Sequence, residues 1–322
     1  MTKETIIRQE GPSAALPVDL KHENRKKVLS AFRYGEECTV ADISNQTGIS
    51  RLTVMRAIQF FASRKILRSM GLGESSNMGG KKPERFAFAD KRLTLCIALW
   101  PRSTRLSLRT ITGTPVAEID FASDLRRTLQ EVFADLESHI DAFLGEHKTS
   151  KSKLYGVMLS TAGTVDTDNG ILRFSVHSPE WGDQIPIRQY LQDIMGETPV
   201  VLVENAGKTA GRAVLQQDEQ YRSGRVLTIF SAWGLSACLI EDGRILSGPL
   251  SLVGEIGHMS IDCYDEELCG CGRHGCLERL VSLERLIRML EEKPAPAGSP
   301  LAGIGKDLSF QLLFDAARNG DA

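Results

Sequence analysis

Apolar positions along this 322-residue chain follow two rhythms, and the change between them falls near residue 92. From Lys21 the spacing is helical: Val28, Leu29 and Phe32 fall on one stripe, with Gly35 just past its end. A second short helix is predicted from Val40 to Gln46, with Thr39 as N-cap and a stop at Gly48. Ser50 can cap a third, Arg51 to Ser63, whose Val54, Ile58, Phe61 and Ala62 share one face. Ile66 to Arg68 and Arg85 to Phe88 then read as two short strands joined by the loop from Gly71 to Pro83. Residues 1–20 mix Gly, Pro and isolated charges without periodicity, the composition of a mobile tail.

Beyond residue 92 strands and helices alternate. Leu93 to Leu99 and Arg105 to Ile111 read as strands with a turn at Gly113, followed by a helix from about Leu125 to Leu144. Leu154 to Leu159 is a strand, Ile187 to Met195 a helix, Val200 to Val203 a strand and Asn205 to Gln216 a helix. Arg225 to Phe230 and Ala237 to Glu241 are strands, and Leu280 to Glu292 a helix. This alternation predicts an α/β fold for residues 93–322.

Composition adds little, since 42% apolar and 25% charged residues are ordinary for a globular protein. Charge distribution adds more. Residues 21–92 hold fifteen Lys/Arg against seven Asp/Glu, a net of +8, although the whole chain carries −2. A small basic module attached to an acidic one points to nucleic acid as the partner of the first. Helix, helix, Gly-containing turn, helix and two strands make residues 21–90 a winged helix-turn-helix DNA-binding domain in expectation. On its third helix Leu52, Thr53, Arg56 and Gln59 project away from the apolar stripe, with Ser50 and Arg51 at the N-terminal end. Such side chains read base edges or hold phosphates, and Leu52 can meet a thymine methyl. The loop's Gly79-Gly80-Lys81-Lys82-Pro83 suits a minor groove or a phosphate row, with Lys81 and Lys82 as its cations. The plainer alternative is a three-helix domain whose surface charge serves solubility.

The densest chemistry lies between Gly254 and Glu278. Cys269, Cys271 and Cys276 follow the spacing C-x-C-x4-C, and His258 precedes them by ten intervening residues. Three thiols and an imidazole supply the four ligands of a closed, structural Zn2+ site, which leaves no open position for catalysis. Buried cysteines in a Gly-rich turn are the bland alternative, and Cys263 could replace His258 as fourth ligand. No secretory signal opens the chain and no apolar run approaches a membrane span, so a reducing cytoplasm without disulfides is expected.

These residues carry a resemblance. The Gly254 to Glu278 signature, Thr47-Gly-Ile-Ser50 with the Gly-Gly-Lys-Lys-Pro wing, Ser160-Thr-Ala-Gly163-Thr-Val-Asp166 and Gly170-Ile171, and Trp181 together resemble transcriptional regulators of the ROK family (repressors, open reading frames and sugar kinases). The resemblance covers roughly residues 22–322. It implies a winged helix ahead of an actin-like, hexokinase-like ATPase fold, with a first lobe at about 93–204 and a second at about 205–322. It also implies zinc in the second lobe and a sugar between lobes, contacted at the positions of Asn205, Glu255, His258 and Glu278; an inherited scaffold that binds nothing is the other reading of those four. The phrase Asp315 to Ala322 precedes a further helical pair in relatives, so the second lobe is expected to be incomplete and the homodimer those helices support uncertain.

Family kinases also need an Asp-x-Gly-x-Thr phosphate turn, and the matching segment here is Ala98-Leu-Trp100-Pro101-Arg-Ser-Thr104, where Pro101 removes an amide donor. A second phosphate turn reads Ser231-Ala-Trp233-Gly234-Leu-Ser236. The general base, an Asp in family kinases, is Ala206, which accepts no proton. Glu204 is close in sequence, but adjacent strand side chains face opposite sides. The reading is therefore a DNA-binding regulator of carbohydrate genes with a catalytically inactive effector domain that binds no ATP. A sugar kinase and a degenerate zinc-stabilised interaction module are the alternatives.

Overall fold

The structure, a computed structural model, describes residues 17–32, 36–73, 82–89, 93–111, 113–197, 199–217, 219–232 and 234–321. The chain divides into two compact units, one built on the described residues up to Thr94 with Arg109–Val116, the other on Leu95–Leu108 and the residues from Ala117 onward.

In the first unit, α1 (Pro17–Ser30), α2 (Val40–Thr47) and α3 (Arg51–Ser63) pack around Val28, Phe32, Ile43, Val54, Ile58 and Phe61, each at most 6% exposed. Each such side chain contributes about 1.5–3 kcal/mol of burial energy. Thr39 starts α2 through a capping box: its hydroxyl accepts from the Asp42 amide at 3.2 Å, and the Asp42 carboxylate accepts from the Thr39 amide at 2.8 Å. Gly48 ends α2 at a φ of 68°, a left-handed cap that most residues resist, and its amide reaches the Ser44 carbonyl. Ser50 then caps α3 as expected. Ala57 belongs to the buried face, whereas Ala62 is only half-buried. Behind the helices β2 (Leu67–Leu72) pairs antiparallel with β3 (Glu84–Phe88), with a bulge between Ser69 and Gly71. β1 (Cys38–Thr39) adds a third strand on the other side of β3, too short for any sequence pattern to reveal.

The second unit holds a five-stranded sheet ordered β10-β7-β4-β5-β6. Its strands are β4 (Leu93–Leu99), β5 (Ser103–Thr110), β6 (Pro115–Ala122), β7 (Leu154–Thr161) and β10 (Val200–Asn205). α4 (Leu129–Glu146) buries Leu129, Val132, Phe133, Leu136, Ile140, Phe143 and Leu144. It begins four residues later than its apolar pattern suggests, because Thr128 and Glu131 form a capping box there. The hairpin β8 (Thr164–Asp166) and β9 (Ile171–Phe174) follows β7, and α5 (Ile187–Met195) lies where its periodicity predicts.

α6 (Ala206–Gln217) leaves the end of β10 and packs on β11 (Arg225–Ser231) and β12 (Leu235–Glu241), with β13 (Arg244–Ile245) outside them. The helix expected from Leu280 to Glu292 is two: α7 (Leu277–Leu280) and α8 (Leu283–Glu292), separated because Ser282 is extended and caps α8 through the Arg285 amide. α9 (Phe310–Arg318) closes the described chain, and no sequence pattern had marked it. Among the described residues no helix is long and apolar enough to cross a membrane.

Candidate metal centre and cleft

His258 ends a one-turn 3-10 segment, Ile256–His258, and the three cysteines come from the loop that leads into α7. Ligand atoms of His258, Cys269, Cys271 and Cys276 all lie within 4.8 Å of one another. The His258 Nδ1 to Cys269 Sγ and Cys271 Sγ to Cys276 Sγ separations are both 3.6 Å. A tetrahedral ion with bonds of about 2.0–2.3 Å needs donors at roughly this mutual spacing, so the set fits a metal such as zinc. Cys263 is exposed and stands outside the cluster, which leaves the imidazole as fourth donor. As thiols, burial raises Cys269 and pushes Cys276 up to about 12, whereas at Cys271 burial is outweighed by the hydrogen bonds of Arg273, Cys269 and Cys276 together, which lower it.

The loop is held by tight backbone approach. Gly275, at a φ of 65°, sits where a Cβ would lie 1.7 Å from the Asp262 carbonyl oxygen, so no other residue fits. Strand-like bonds from Ile261 to Gly275 and from Leu277 to Met259, each 2.9 Å, fasten the two sides of the loop. Asp265 and Glu267 then tie it to α7 and α8 through Arg279, Arg285 and Arg288.

Beside the cluster a cleft opens, and Asn205, Ala206, Glu255, His258 and Glu278 all line it. β10 and β7 run parallel in the register Asn205↔Thr161 and Glu204↔Ser160, so successive residues at the strand end take opposite sides. Glu204 turns away: it is 1% exposed and accepts from Thr167, Arg212 and the Asn205 amide, and it does not line the cleft. Asn205 faces the cleft but is committed structurally. Its Oδ1 caps α6 by accepting from the Lys208 amide at 3.1 Å, and its Nδ2 donates to the Gly163 carbonyl at 2.7 Å. Glu278 accepts from the Leu235 amide at 2.8 Å. Burial raises the Glu255 carboxyl above its ordinary range, against the opposing pull of His258 and Lys208.

Sequence reasoning missed several of the cleft's walls. Thr164 is 1% exposed, and its hydroxyl lies close enough to the Glu255 carboxylate to favour its charged form. His177 and Phe174 also line it, and Trp100 does so from the segment matched to the first phosphate turn. Lys208, only 2% exposed, donates to the Ser251 carbonyl at 3.0 Å. Pro101 lines the cleft next to Trp100, at the place expected for the first phosphate turn. Trp233 lies outside the described residues.

In the first unit Arg51, Leu52, Arg56 and Gln59 are exposed on α3, and Leu52 is 62% exposed despite its apolar side chain. Ser50 and Thr53 are engaged with each other, their hydroxyls 3.0 Å apart and the Thr53 amide donating to Ser50. Lys82 is exposed; Lys81 lies outside the described residues.

A family model described as ROK family matches residues 109–322. The chain is 23% identical over 282 residues to the DNA-binding transcriptional repressor Mlc of Escherichia coli, covering 87% of this chain and 68% of Mlc. It is 25% identical over 305 residues to the xylose repressor of Bacillus subtilis, covering 94% and 74%. A glucokinase of Thermotoga maritima is 29% identical over 173 residues, and this chain spans about half of its length, 52%. Among solved structures, a ROK family transcriptional regulator described as a homologue of the E. coli MLC protein superposes with a TM-score of 0.73 at 18% identity, over 94% of this chain and 75% of that one. A ROK family glucokinase from Streptomyces griseus in complex with glucose and AMPPNP gives 0.57 at 22% identity, over 71% and 72%.

Proposed function

Because the chain belongs to the ROK family, we propose that it is a DNA-binding transcriptional repressor of carbohydrate genes whose second unit senses a sugar or sugar phosphate. The observation that carries this reading is α3, which follows a tight Gly48 turn and presents Arg51, Leu52, Arg56 and Gln59 to solvent from a helix whose other face is buried. An exposed leucine among arginines on a rigid helix suits a major groove better than water. With β2 and β3 as the wing, the unit is a winged helix-turn-helix. The names of the repressor relatives point the same way. Two such units in a homodimer would meet paired half-sites, and effector binding would bias their spacing.

The cleft supports the effector part. Asn205, Glu255, His258 and Glu278 would meet sugar hydroxyls, with the Thr164 hydroxyl beside Glu255 as a fifth polar group lining the cleft. Zinc held by His258, Cys269, Cys271 and Cys276 would fix the loop that presents Glu255 and Glu278, and with four protein ligands its role is structural. The protein would work in the reducing cytoplasm. Catalysis is not part of the reading, because Ala206 replaces the base, Glu204 points elsewhere and Pro101 offers no amide to a phosphate. The test is a gel shift with the full chain and Arg51→Ala/Arg56→Ala: binding by the wild type and loss in the variant is expected, and equal binding by both would refute it. The glucokinase relatives favour a kinase as second reading, and ATP turnover against a panel of hexoses at an ordinary kinase rate would establish it.

A further inference from the structure

The exposed side chains of α3 do not all stand on one side of the helix. Val54, Ala57, Ile58 and Phe61 form its buried stripe, and at about 100° per residue Leu52, Arg56 and Gln59, spaced i, i+4 and i+7, make an exposed row directly opposite. Arg51 falls more than a quarter turn to one side of that row. The other side is taken up by contacts within the protein. Thr53 is half-buried with its hydroxyl 3.0 Å from that of Ser50, and the Phe60 ring carries the guanidinium carbons of Arg25 and Arg64 at 3.3 and 3.7 Å from its centroid. The row itself is uncommitted: among the described residues neither Arg56 nor Gln59 has a hydrogen-bond or ion-pair partner, and Leu52 is 62% exposed.

A helix seated in a major groove turns its outermost face to the base edges and its flanks to the phosphates on either side. The row opposite the core is that outermost face, so position alone separates its three members from Arg51. Chemistry then separates them from one another. A guanidinium donates two parallel N–H bonds, which match the O6 and N7 acceptors of guanine. A glutamine amide donates and accepts at once, which matches N6 and N7 of adenine, and leucine has only methyl groups, whose counterpart in the groove is the thymine C5-methyl. With a rise of about 1.5 Å per residue, Leu52 to Arg56 spans about 6 Å and Arg56 to Gln59 about 4.5 Å, each between one and two base steps of about 3.4 Å.

We infer that α3 reads an operator half-site in which a guanine, bound by Arg56, stands between a thymine met by Leu52 and an adenine bound by Gln59, while Arg51 holds a phosphate. The three base pairs lie within about five consecutive positions, given the spans along the helix. The inference rests on the reading of this unit as DNA-binding and deepens it, by dividing the exposed side chains of α3 into those that choose bases and the one that only positions.

The test selects duplexes from a random library with the full chain, then titrates the selected site and its single base-pair substitutions by fluorescence anisotropy, with circular dichroism as a check that each variant is folded. The selected half-site should hold an A·T, a G·C and an A·T pair in that order, and replacing the guanine should weaken the wild type by about 5- to 150-fold. Arg56→Ala should lose preference at that position alone, Gln59→Glu should change its position from adenine to cytosine, and Arg51→Ala should weaken all sequences alike and flatten the slope of log K against log salt by about 1. Deoxyuridine in place of the thymine removes only its methyl group, and should weaken the wild type several-fold but not Leu52→Ala. Uniform weakening by Arg56→Ala with every base preference intact, or selection of no shared sequence from duplexes that do bind, would overturn the assignment. Failure of the wild type to bind duplex at any salt would overturn instead the DNA-binding reading beneath it.

Discussion

Gly275 and Gly272 lie three residues apart in the Cys-rich loop, both left-handed, with φ of 65° and 84°, yet replacing each with alanine should give very different results. At Gly272 a Cβ meets nothing within 4 Å. Gly272→Ala therefore incurs only the left-handed penalty of about 1–2 kcal/mol, partly offset by about 0.4–1 kcal/mol from a stiffer unfolded chain. At Gly275 the same methyl would sit 1.7 Å from the Asp262 oxygen, so one side of the loop must retreat by more than an ångström. That movement breaks the Ile261 to Gly275 bond and displaces Cys276, which is fully buried at 0% exposure. With each lost backbone bond near 1 kcal/mol, Gly275→Ala should cost about 3–5 kcal/mol. At about 2–4 °C per kcal/mol, thermal unfolding should fall by roughly 10 °C for Gly275→Ala and by a few degrees at most for Gly272→Ala. Atomic absorption of the purified proteins should find full zinc in Gly272→Ala and a deficit in Gly275→Ala. Equal zinc content and equal melting in the two variants would refute the argument that this close approach shapes the metal centre.

Cys271→Ser should lose zinc; unchanged metal content would count against the cluster. Asp166 is held below its ordinary range by hydrogen bonds from Asn169 and by Arg173, so its contribution to stability is present at and above the usual carboxylate range and is lost as pH falls through its depressed value. Asp166→Asn should thus destabilise by about 1–3 kcal/mol at neutral pH, and chemical denaturation should show that gap closing in acid. Asn205→Ala removes the α6 cap and the Gly163 contact together, and should cost at least about 1 kcal/mol in the same assay. Ala206→Asp should leave ATP-dependent sugar phosphorylation at background, because Pro101 still lacks its amide hydrogen; turnover restored by this one change would show the phosphate side to be intact.

Legibility in the sequence tracked how local the determining physics is. α2, α3 and α5 were readable nearly to the residue, since caps such as Thr39, Gly48 and Ser50 act within a few positions. The metal cluster was readable because thiol spacing in a short loop admits few geometries. β6 and α9 were not, for β6 exposes most of its residues and shows no alternation, and α9 buries little beyond Ala316. Phe60 was invisible as a platform because its partners come from α1 and from beyond the end of α3. The same holds for Thr164 and His177, which reach the cleft only through the path of the chain after β7. The break at Ser282 was legible in principle, since Ser is a favoured N-cap, but the strong apolar periodicity around it masked the signal.

The parallel register at the end of β10 also limits how this protein can vary. Glu204 and Asn205 are neighbours in sequence with opposite assignments, one sealed against Thr167 and Arg212, the other joining the start of α6 to Gly163. A single inserted residue within Val200–Asn205 exchanges those assignments, placing a carboxylate where the amide bridges and an amide where the carboxylate is sealed. The same insertion ahead of Val200, where the chain only returns from α5, shifts no side chain in the sheet. Length variation among functional descendants of this sequence should therefore gather before the strand and be absent inside it, a pattern that a library of single-residue insertions would reveal.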